Sequence, residues 1–106
     1  MKTVVLIILL IVGVLAQSPM YLDPNGPEAT AIANDLTRQY ADKINAPGSL
    51  RLNRVEEAMV LGRGTRTEQY TIKAFVTTMH GSHTFCTRFY ALRSDGTLTL
   101  YSWNMC

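Results

Sequence analysis

Residues 86–106 contain the most informative pattern in the sequence and read Cys-Thr-Arg-Phe-Tyr-Ala-Leu-Arg-Ser-Asp-Gly-Thr-Leu-Thr-Leu-Tyr-Ser-Trp-Asn-Met-Cys. Two runs of strand-forming residues flank the turn sequence Arg93-Ser94-Asp95-Gly96, and this pattern predicts a β-hairpin. A hairpin would bring Cys86 and Cys106 within the short Cα–Cα distance that a disulfide requires. The spacing does not fit zinc-finger or Cys-x-x-Cys redox motifs, so we predict a disulfide between these two residues.

The amino terminus has the pattern of a secretory signal peptide. Lys2 precedes an uninterrupted apolar run over residues 4–12, and Val14-Leu15-Ala16 provides small residues ahead of a cleavage site. The run is shorter than the roughly 20 residues that span a bilayer. We therefore expect residues 1–16 to be a signal peptide cleaved after Ala16, with an uncleaved anchor as the alternative. The remaining chain would be secreted and extracellular, where a disulfide persists.

The rest of the chain has the size of one domain. The formal net charge of +2 becomes +1 when Lys2 is removed. So small a charge predicts no strong attraction to nucleic acid or to anionic lipid. A small domain buries a modest core and gains stability from a covalent brace. Closing a loop of this length should contribute about 3 kcal/mol.

One helix is predicted behind a flexible leader. Residues 17–25 contain two prolines and show no hydrophobic periodicity, so we expect them to be extended and mobile. The following Asn25-Gly26-Pro27-Glu28 is typical of a helix start, and Ala46-Pro47-Gly48-Ser49 ends the helix. Between them, apolar residues recur every fourth position: Ile32, Leu36, Tyr40 and Ile44. Such a stripe needs a sheet to cover it.

Strand patterns fill the remaining sequence. Residues 50–61 are strand-like, and a change of phase between Leu52 and Val55 indicates a bulge. Residues 62–66 and 79–83 are predicted turns around a half-buried strand. Together with the closing hairpin, these segments predict an α+β domain in which one N-terminal helix packs on a curved antiparallel sheet of about four strands.

The chain resembles the cystatin family of secreted cysteine-protease inhibitors over residues 26–106. Two parts carry the resemblance. One is similar to the closing hairpin of secreted cystatins: Phe85-Cys86, Tyr90-Ala91, Gly96-Thr97-Leu98-Thr99-Leu100 and Cys106. The other, Leu50-Arg51-Leu52-Asn53-Arg54-Val55, is similar to the family strand that leads into an inhibitory loop. The resemblance implies a cystatin-like domain over residues 26–106.

The resemblance also implies a function, namely inhibition of a papain-like cysteine protease of the cathepsin L type. In cystatins, a leader with a glycine and two hairpin loops line one edge and enter the protease cleft as a rigid wedge. The corresponding residues here are Gly26 in the leader, Ala58, Met59, Val60, Leu61 and Gly62 in the first loop, and Arg93 and Ser94 in the second loop. Such an inhibitor needs no catalytic residue, cofactor or metal, and we expect a monomer.

Three positions differ from the family pattern. Ala58 stands where the family has Gln, and Arg93-Ser94 stands where it has Pro-Trp. A Trp in such a loop is the kind of residue that contributes about 2 kcal/mol or more at an interface. The alternative is therefore a non-inhibitory secreted cystatin-fold binding protein of a reproductive, venom or defence secretion.

Other patterns predict no second site. His80 and His83 could share a metal ion, but no third ligand lies nearby in sequence. Arg63 and Arg66 could contact an acidic partner, although loop arginines are usually solvated. Since no nucleophile with its base, metal triad or phosphate loop is recognisable, we do not expect an enzyme.

Overall fold

A computed structural model of the chain describes residues 18–81 and 83–106. The predicted signal peptide, residues 1–16, lies outside the described residues, as does Gln17. Within the described part, no helix is long and apolar enough to cross a membrane.

One helix packs on a five-stranded antiparallel sheet, which confirms the predicted α+β class. The elements follow in the order β1 (Met20–Leu22), α1 (Pro27–Lys43), β2 (Leu50–Leu61), β3 (Thr67–Thr78), β4 (Thr84–Ser94) and β5 (Thr97–Met105). The strands lie side by side in their sequence order, each antiparallel to the next. Neighbouring strands are therefore joined by short turns, apart from the passage through the helix.

The expected number of about four strands is wrong by one. The additional strand, β1, lies in the predicted leader, residues 17–25. It pairs with the C-terminal end of β2, Met20 with Val60 and Leu22 with Ala58. Three residues beside a proline have no strand periodicity of their own, and the edge of β2 supplies the backbone partners that make them a strand.

The helix begins and ends close to the predicted residues. Pro27 occupies the first turn, where its missing N–H costs no hydrogen bond. Glu28 follows in the first turn and Lys43 lies in the last, so both charges oppose the helix dipole. The chain leaves the helix through Asn45 and Gly48, which have φ of 61° and 76°.

The core lies between the helix and the inner face of the sheet. The predicted helix stripe supplies Ile32, Leu36 and Tyr40, which are buried, whereas Ile44 lies just beyond the helix and is exposed. The ring of Tyr40 meets that of Phe89 edge-on at 5.6 Å between centroids. Alternate residues of the sheet complete this core: Val55, Ala58, Val60, Tyr70, Ile72, Ala74, Val76, Ala91 and Leu100.

The predicted bulge, the closing hairpin and the disulfide are all confirmed. The pairing of β2 with β3 shifts register between Leu52 and Arg54, at the predicted bulge, and again between Val55 and Glu57. The β4–β5 hairpin turns on Asp95 (φ 52°) and Gly96 (φ 84°), the two left-handed residues of a tight hairpin. The predicted disulfide joins Cys86 and Cys106, whose Cα atoms are 5.4 Å apart.

Candidate functional site

Three segments that are distant in sequence meet at one end of the sheet. The chain ahead of β1 approaches the β2–β3 turn, because Met20 pairs with Val60 near the end of β2. The β4–β5 turn lies on the other side, because Ser94 pairs with Thr67 at the start of β3. We call Met20, residues 62–66 and residues 95–96 together the rim. Of the residues that the sequence predicts for the site, Gly62 belongs to the rim.

The β2–β3 turn is held by its own hydrogen bonds. The Thr65 backbone N–H donates to the Gly62 carbonyl at 3.0 Å, and the Thr65 hydroxyl lies 2.6 Å from the same oxygen and 2.8 Å from the Thr67 carbonyl. Gly62 has φ of 78°, and a Cβ on it would lie 2.9 Å from the Thr67 carbonyl oxygen. Only glycine fits this position without displacing the turn.

The helix anchors the turn through an ion pair. The Arg63 guanidinium donates two hydrogen bonds to the Glu28 carboxylate, at 2.5 and 3.0 Å. These bonds hold the pKa of Glu28 below its ordinary value and raise that of Arg63. Glu28 is also in the first turn of α1, where the helix dipole favours a negative charge. Arg63 is therefore engaged within the protein and is not a free cation of the rim.

A second carboxylate fastens the turn from the sheet side. Glu68, whose side chain is 12% exposed, accepts hydrogen bonds from the Gly64 backbone N–H and the Tyr70 hydroxyl, both at 2.9 Å. Tyr70 in turn accepts a bond of 3.1 Å from the Arg93 guanidinium, which also lies 5.3 Å from the Tyr70 ring centroid. We call Gly64, Glu68, Tyr70 and Arg93 the latch, since they tie the β2–β3 turn to β3 and β4.

The latch shifts the pKa values of its members. The Gly64 N–H, foremost, and the Tyr70 hydroxyl lower the pKa of Glu68, although partial burial opposes them. Burial, followed by the bond to Glu68, raises the pKa of Tyr70. Both shifts favour the states that the hydrogen bonds require, an ionised carboxylate and a neutral phenol.

The predicted first-loop residues divide between core and surface. Ala58 and Val60 are fully buried and face the helix, so their side chains are not available to a partner. Met59 and Leu61 alternate with them on the outer face and are half-buried. Gly62 is the first residue of the turn itself. The exposed surface at the tip consequently comes from residues 63–66, C-terminal to the predicted segment.

Gly26 lies apart from the chain that precedes β1. It is the residue before the first turn of α1, and its backbone N–H donates to the Asp23 carbonyl at 2.9 Å. Its position thus follows β1 rather than preceding it. The exposed residues Ser18 and Pro19 lie ahead of β1 and lead into Met20, the rim residue that begins this strand.

The second-loop residues belong to a strand end rather than a projecting loop. Arg93 and Ser94 are the last residues of β4, and the Arg93 side chain turns inward to the latch. The tip of this hairpin is Asp95 and Gly96 alone. Asp95 lies 3.5 Å from the guanidinium of Arg66, and both side chains are largely exposed, at 71% and 90%. The outermost charges of the rim are therefore one acid and one base.

Sequence reasoning did not identify Glu28, Glu68 or Tyr70 as parts of the site. Glu28 precedes its partner by 35 residues, and Tyr70 meets Arg93 across 23. Only Glu68 has local partners in the latch, Gly64 four residues before it and Tyr70 two residues after it. A glycine-rich turn followed by a carboxylate was the one available signal for the latch.

The described residues contain no metal-binding group of three or more His, Cys, Asp or Glu side chains. His83 instead stacks on Phe85, with ring centroids 6.2 Å apart. Comparison of the chain with protein-family models, with curated proteins and with solved structures finds no match.

Proposed function

We propose that the protein is a secreted, cystatin-like inhibitor of papain-like cysteine proteases and that its rim enters the active-site cleft. The observation that carries this proposal is the meeting of three chain segments at one end of the sheet, with Met20 beside β2 and Arg66 beside Asp95. The family resemblance assigns the inhibitory contacts to segments of this kind. The disulfide between Cys86 and Cys106 is compatible with an extracellular location.

The order of the β2–β3 turn supports a wedge. Glu28 binds it from the helix and Glu68 from the sheet, so the turn has little conformational entropy to lose on docking. Gly62 keeps the turn narrow, because no side chain projects from its tightest point. A rigid, narrow projection is the shape that fits a cleft between two protein walls.

A second candidate, a non-inhibitory extracellular binding protein, is favoured by the β4–β5 turn. This turn consists of Asp95 and Gly96, and the only side chain that it presents is the carboxylate of Asp95. Arg93 is committed to Tyr70, so neither predicted second-loop position offers an apolar side chain to a cleft. Affinity that other inhibitors of this type gain from the second loop would have to come from the leader and the β2–β3 turn.

Inhibition assays distinguish the two functions. The disulfide-bonded protein is titrated against papain and against a cathepsin L-like enzyme with a fluorogenic substrate. Inhibition at or below micromolar concentration is the expected result. No inhibition at tens of micromolar would refute the inhibitor proposal and leave the binding protein.

A pair of glycine variants links inhibition to the rim. Gly62→Ala places a methyl group 2.9 Å from the Thr67 carbonyl oxygen, whereas Gly48→Ala has a similar φ with no atom within 4 Å and lies at the helix–β2 connection. Gly62→Ala should raise the inhibition constant at least about tenfold, and Gly48→Ala should leave it unchanged. Equal effects of the two variants would show that inhibition does not depend on the β2–β3 turn.

A further inference from the structure

The outer strand β5 is an uncharged sheet edge with exposed apolar side chains. Residues 97–106 include no Asp, Glu, Lys or Arg. Three large side chains in its second half are exposed: Tyr101 by 53%, Trp103 by 36% and Met105 by 61%. Natural sheet edges usually carry charges or proline that prevent pairing with another strand. An edge without them is suited to adding a strand.

The helix covers the backbone groups of the first half of this edge. The Gln39 amide nitrogen donates to the Leu98 carbonyl at 3.0 Å, and its amide oxygen accepts from the Leu100 N–H at 2.9 Å. One side chain thus bonds two backbone groups of β5 that point away from β4, as a neighbouring strand would. Gln39 closes the backbone edge between Leu98 and Leu100. In the second half the Trp103 ring lies beside Tyr40 of α1, with centroids 5.3 Å apart, but the helix forms no hydrogen bond to the backbone there among the described residues.

The register shows which backbone groups of the second half point outward. The Cys106 N–H donates to the Cys86 carbonyl at 3.3 Å, toward β4. Because N–H and C=O groups alternate sides along a strand, those of Met105 and Trp103 point away from β4. The irregularity beside Tyr90 adds one residue to β5, which explains how Leu100 and Trp103 can both point outward.

We propose that β5 pairs with β5 of a second copy of this chain, antiparallel and about a two-fold axis at Asn104. In this register Trp103 of one copy faces Met105 of the other, and each pair exchanges both of its backbone hydrogen bonds. The same pairing occurs twice by symmetry, giving an isologous interface. The dimer departs from the monomer expected from the sequence.

Self-complementarity favours a second copy over another partner. A two-fold axis at Asn104 sets Trp103 beside the thioether of Met105 in both pairs, and contacts between sulfur and aromatic rings are favourable. Two strands without charged side chains meet without electrostatic repulsion. By contrast, the part of β2 that β1 does not cover, at the opposite edge of the sheet, carries Arg51, Arg54 and Glu56. Pairing limited to the second half of β5 buries a small area, so the dimer is weak and concentration-dependent.

The dimer leaves the rim accessible. Met105 ends β5 about 30 Å from the Asp95–Gly96 turn, given about 3.3 Å per residue. In an antiparallel dimer the two rims would lie at opposite ends of a continuous sheet. The inference is therefore independent of the proposed inhibition, and a dimer would present two rims to two partners.

Sedimentation equilibrium of the disulfide-bonded protein tests the proposal. The average mass should rise from one chain toward two as concentration increases into the sub-millimolar range. The emission of Trp103, the only tryptophan, should shift to shorter wavelength over the same range. A chain that remains monomeric up to about 1 mM would overturn the proposal.

Two variants test the register. Met105→Lys, at a position that is 61% exposed, should weaken self-association at least about tenfold. Met79→Lys, at a position of the β3–β4 turn that is 54% exposed, should not. Trp103→Glu should also be monomeric. In a mixed dimer of the two variants, the introduced Lys of one chain faces the introduced Glu of the other. The second pair is native, with Trp103 of the Met105→Lys chain facing Met105 of the Trp103→Glu chain.

The mixture should restore dimers, with a shift in the emission of Trp103 of the Met105→Lys chain, the one tryptophan present. Circular dichroism confirms that each variant is folded before mixing. Dimers that survive Met105→Lys would place the interface elsewhere. Absence of dimers in the mixture of folded variants would refute the register about Asn104.

Discussion

The latch gives the sharpest prediction on the energetics of the candidate site. Glu68→Ala removes the acceptor of the Gly64 N–H and of the Tyr70 hydroxyl, both 2.9 Å away, and the charge near Arg93. Hydrogen bonds to a charged group contribute about 1.5–3 kcal/mol each, and less where water can replace them. Gly64 is exposed, and Tyr70 keeps its bond to Arg93. We therefore expect the free energy of unfolding to fall by about 2 kcal/mol in total.

The matched control is Glu57→Ala. Glu57 is an exposed carboxylate of the same sheet, and the register sets it opposite Lys73. Exposed positions of this kind change the free energy of unfolding by about 0.5 kcal/mol or less. Both variants are measured by urea denaturation at pH 7, followed by circular dichroism. Equal losses for Glu57→Ala and Glu68→Ala would refute a specific role of the latch.

The pH dependence of the same difference gives a second check. The folded pKa of Glu68 is lowered, mainly by the Gly64 N–H, so its contribution is present above the unfolded value of about 4.3. That contribution is lost as the pH falls through the lower folded pKa. The gap between wild type and Glu68→Ala should therefore shrink below about pH 4. A gap that stays constant from pH 7 to about pH 3 would contradict the role of the ionised carboxylate.

Three further substitutions are expected to have measurable effects. Replacing Cys86 and Cys106 together by Ser opens a covalent loop with a sequence separation of 20. The free energy of unfolding, measured by urea denaturation, should fall by about 3 kcal/mol. A loss below about 1 kcal/mol would show that the hairpin does not depend on the disulfide. Phe89→Ala, at a fully buried position, should cost about 3–5 kcal/mol in the same assay, and a cost below about 1.5 kcal/mol would argue against close packing at this point. Gln39→Ala uncovers the first half of the β5 edge and should increase aggregation on heating, measured by light scattering, relative to Gln69→Ala at an exposed position of β3. No difference between the two glutamine variants would mean that Gln39 does not protect the edge.

The local elements could be predicted because their signals lie within a few residues. Pro27 marks the helix start, the strand predicted over residues 50–61 is β2, and the glycines of residues 62–66 make the turn. Side-chain periodicity and the special conformations of glycine and proline act over this short range. The disulfide was predictable for the same reason, since a hairpin with a two-residue turn sets the separation of its ends.

The strand count and the organisation of the rim depend on longer-range contacts. Met20–Leu22 forms a strand only beside β2, whose paired residues lie far along the chain: Met20 pairs with Val60 and Leu22 with Ala58. The family resemblance places Arg93 at a partner's surface. In the structure its guanidinium donates a hydrogen bond to the Tyr70 hydroxyl and lies near the Glu68 carboxylate. No pattern within the hairpin indicates that direction.

Local patterns were enough to predict the α+β class, the position of the helix, the turns and the disulfide, because each follows from periodicity, from glycine and proline, or from cysteine spacing. Three features depend on the packed fold: the turns that meet at the rim, the bonds from Glu28 and Glu68 to the β2–β3 turn, and the bonds from Gln39 to the backbone of β5. The physical reason is that the partners in each of these contacts come from different elements. Their distances are set by helix packing and strand register, which no short stretch of sequence specifies.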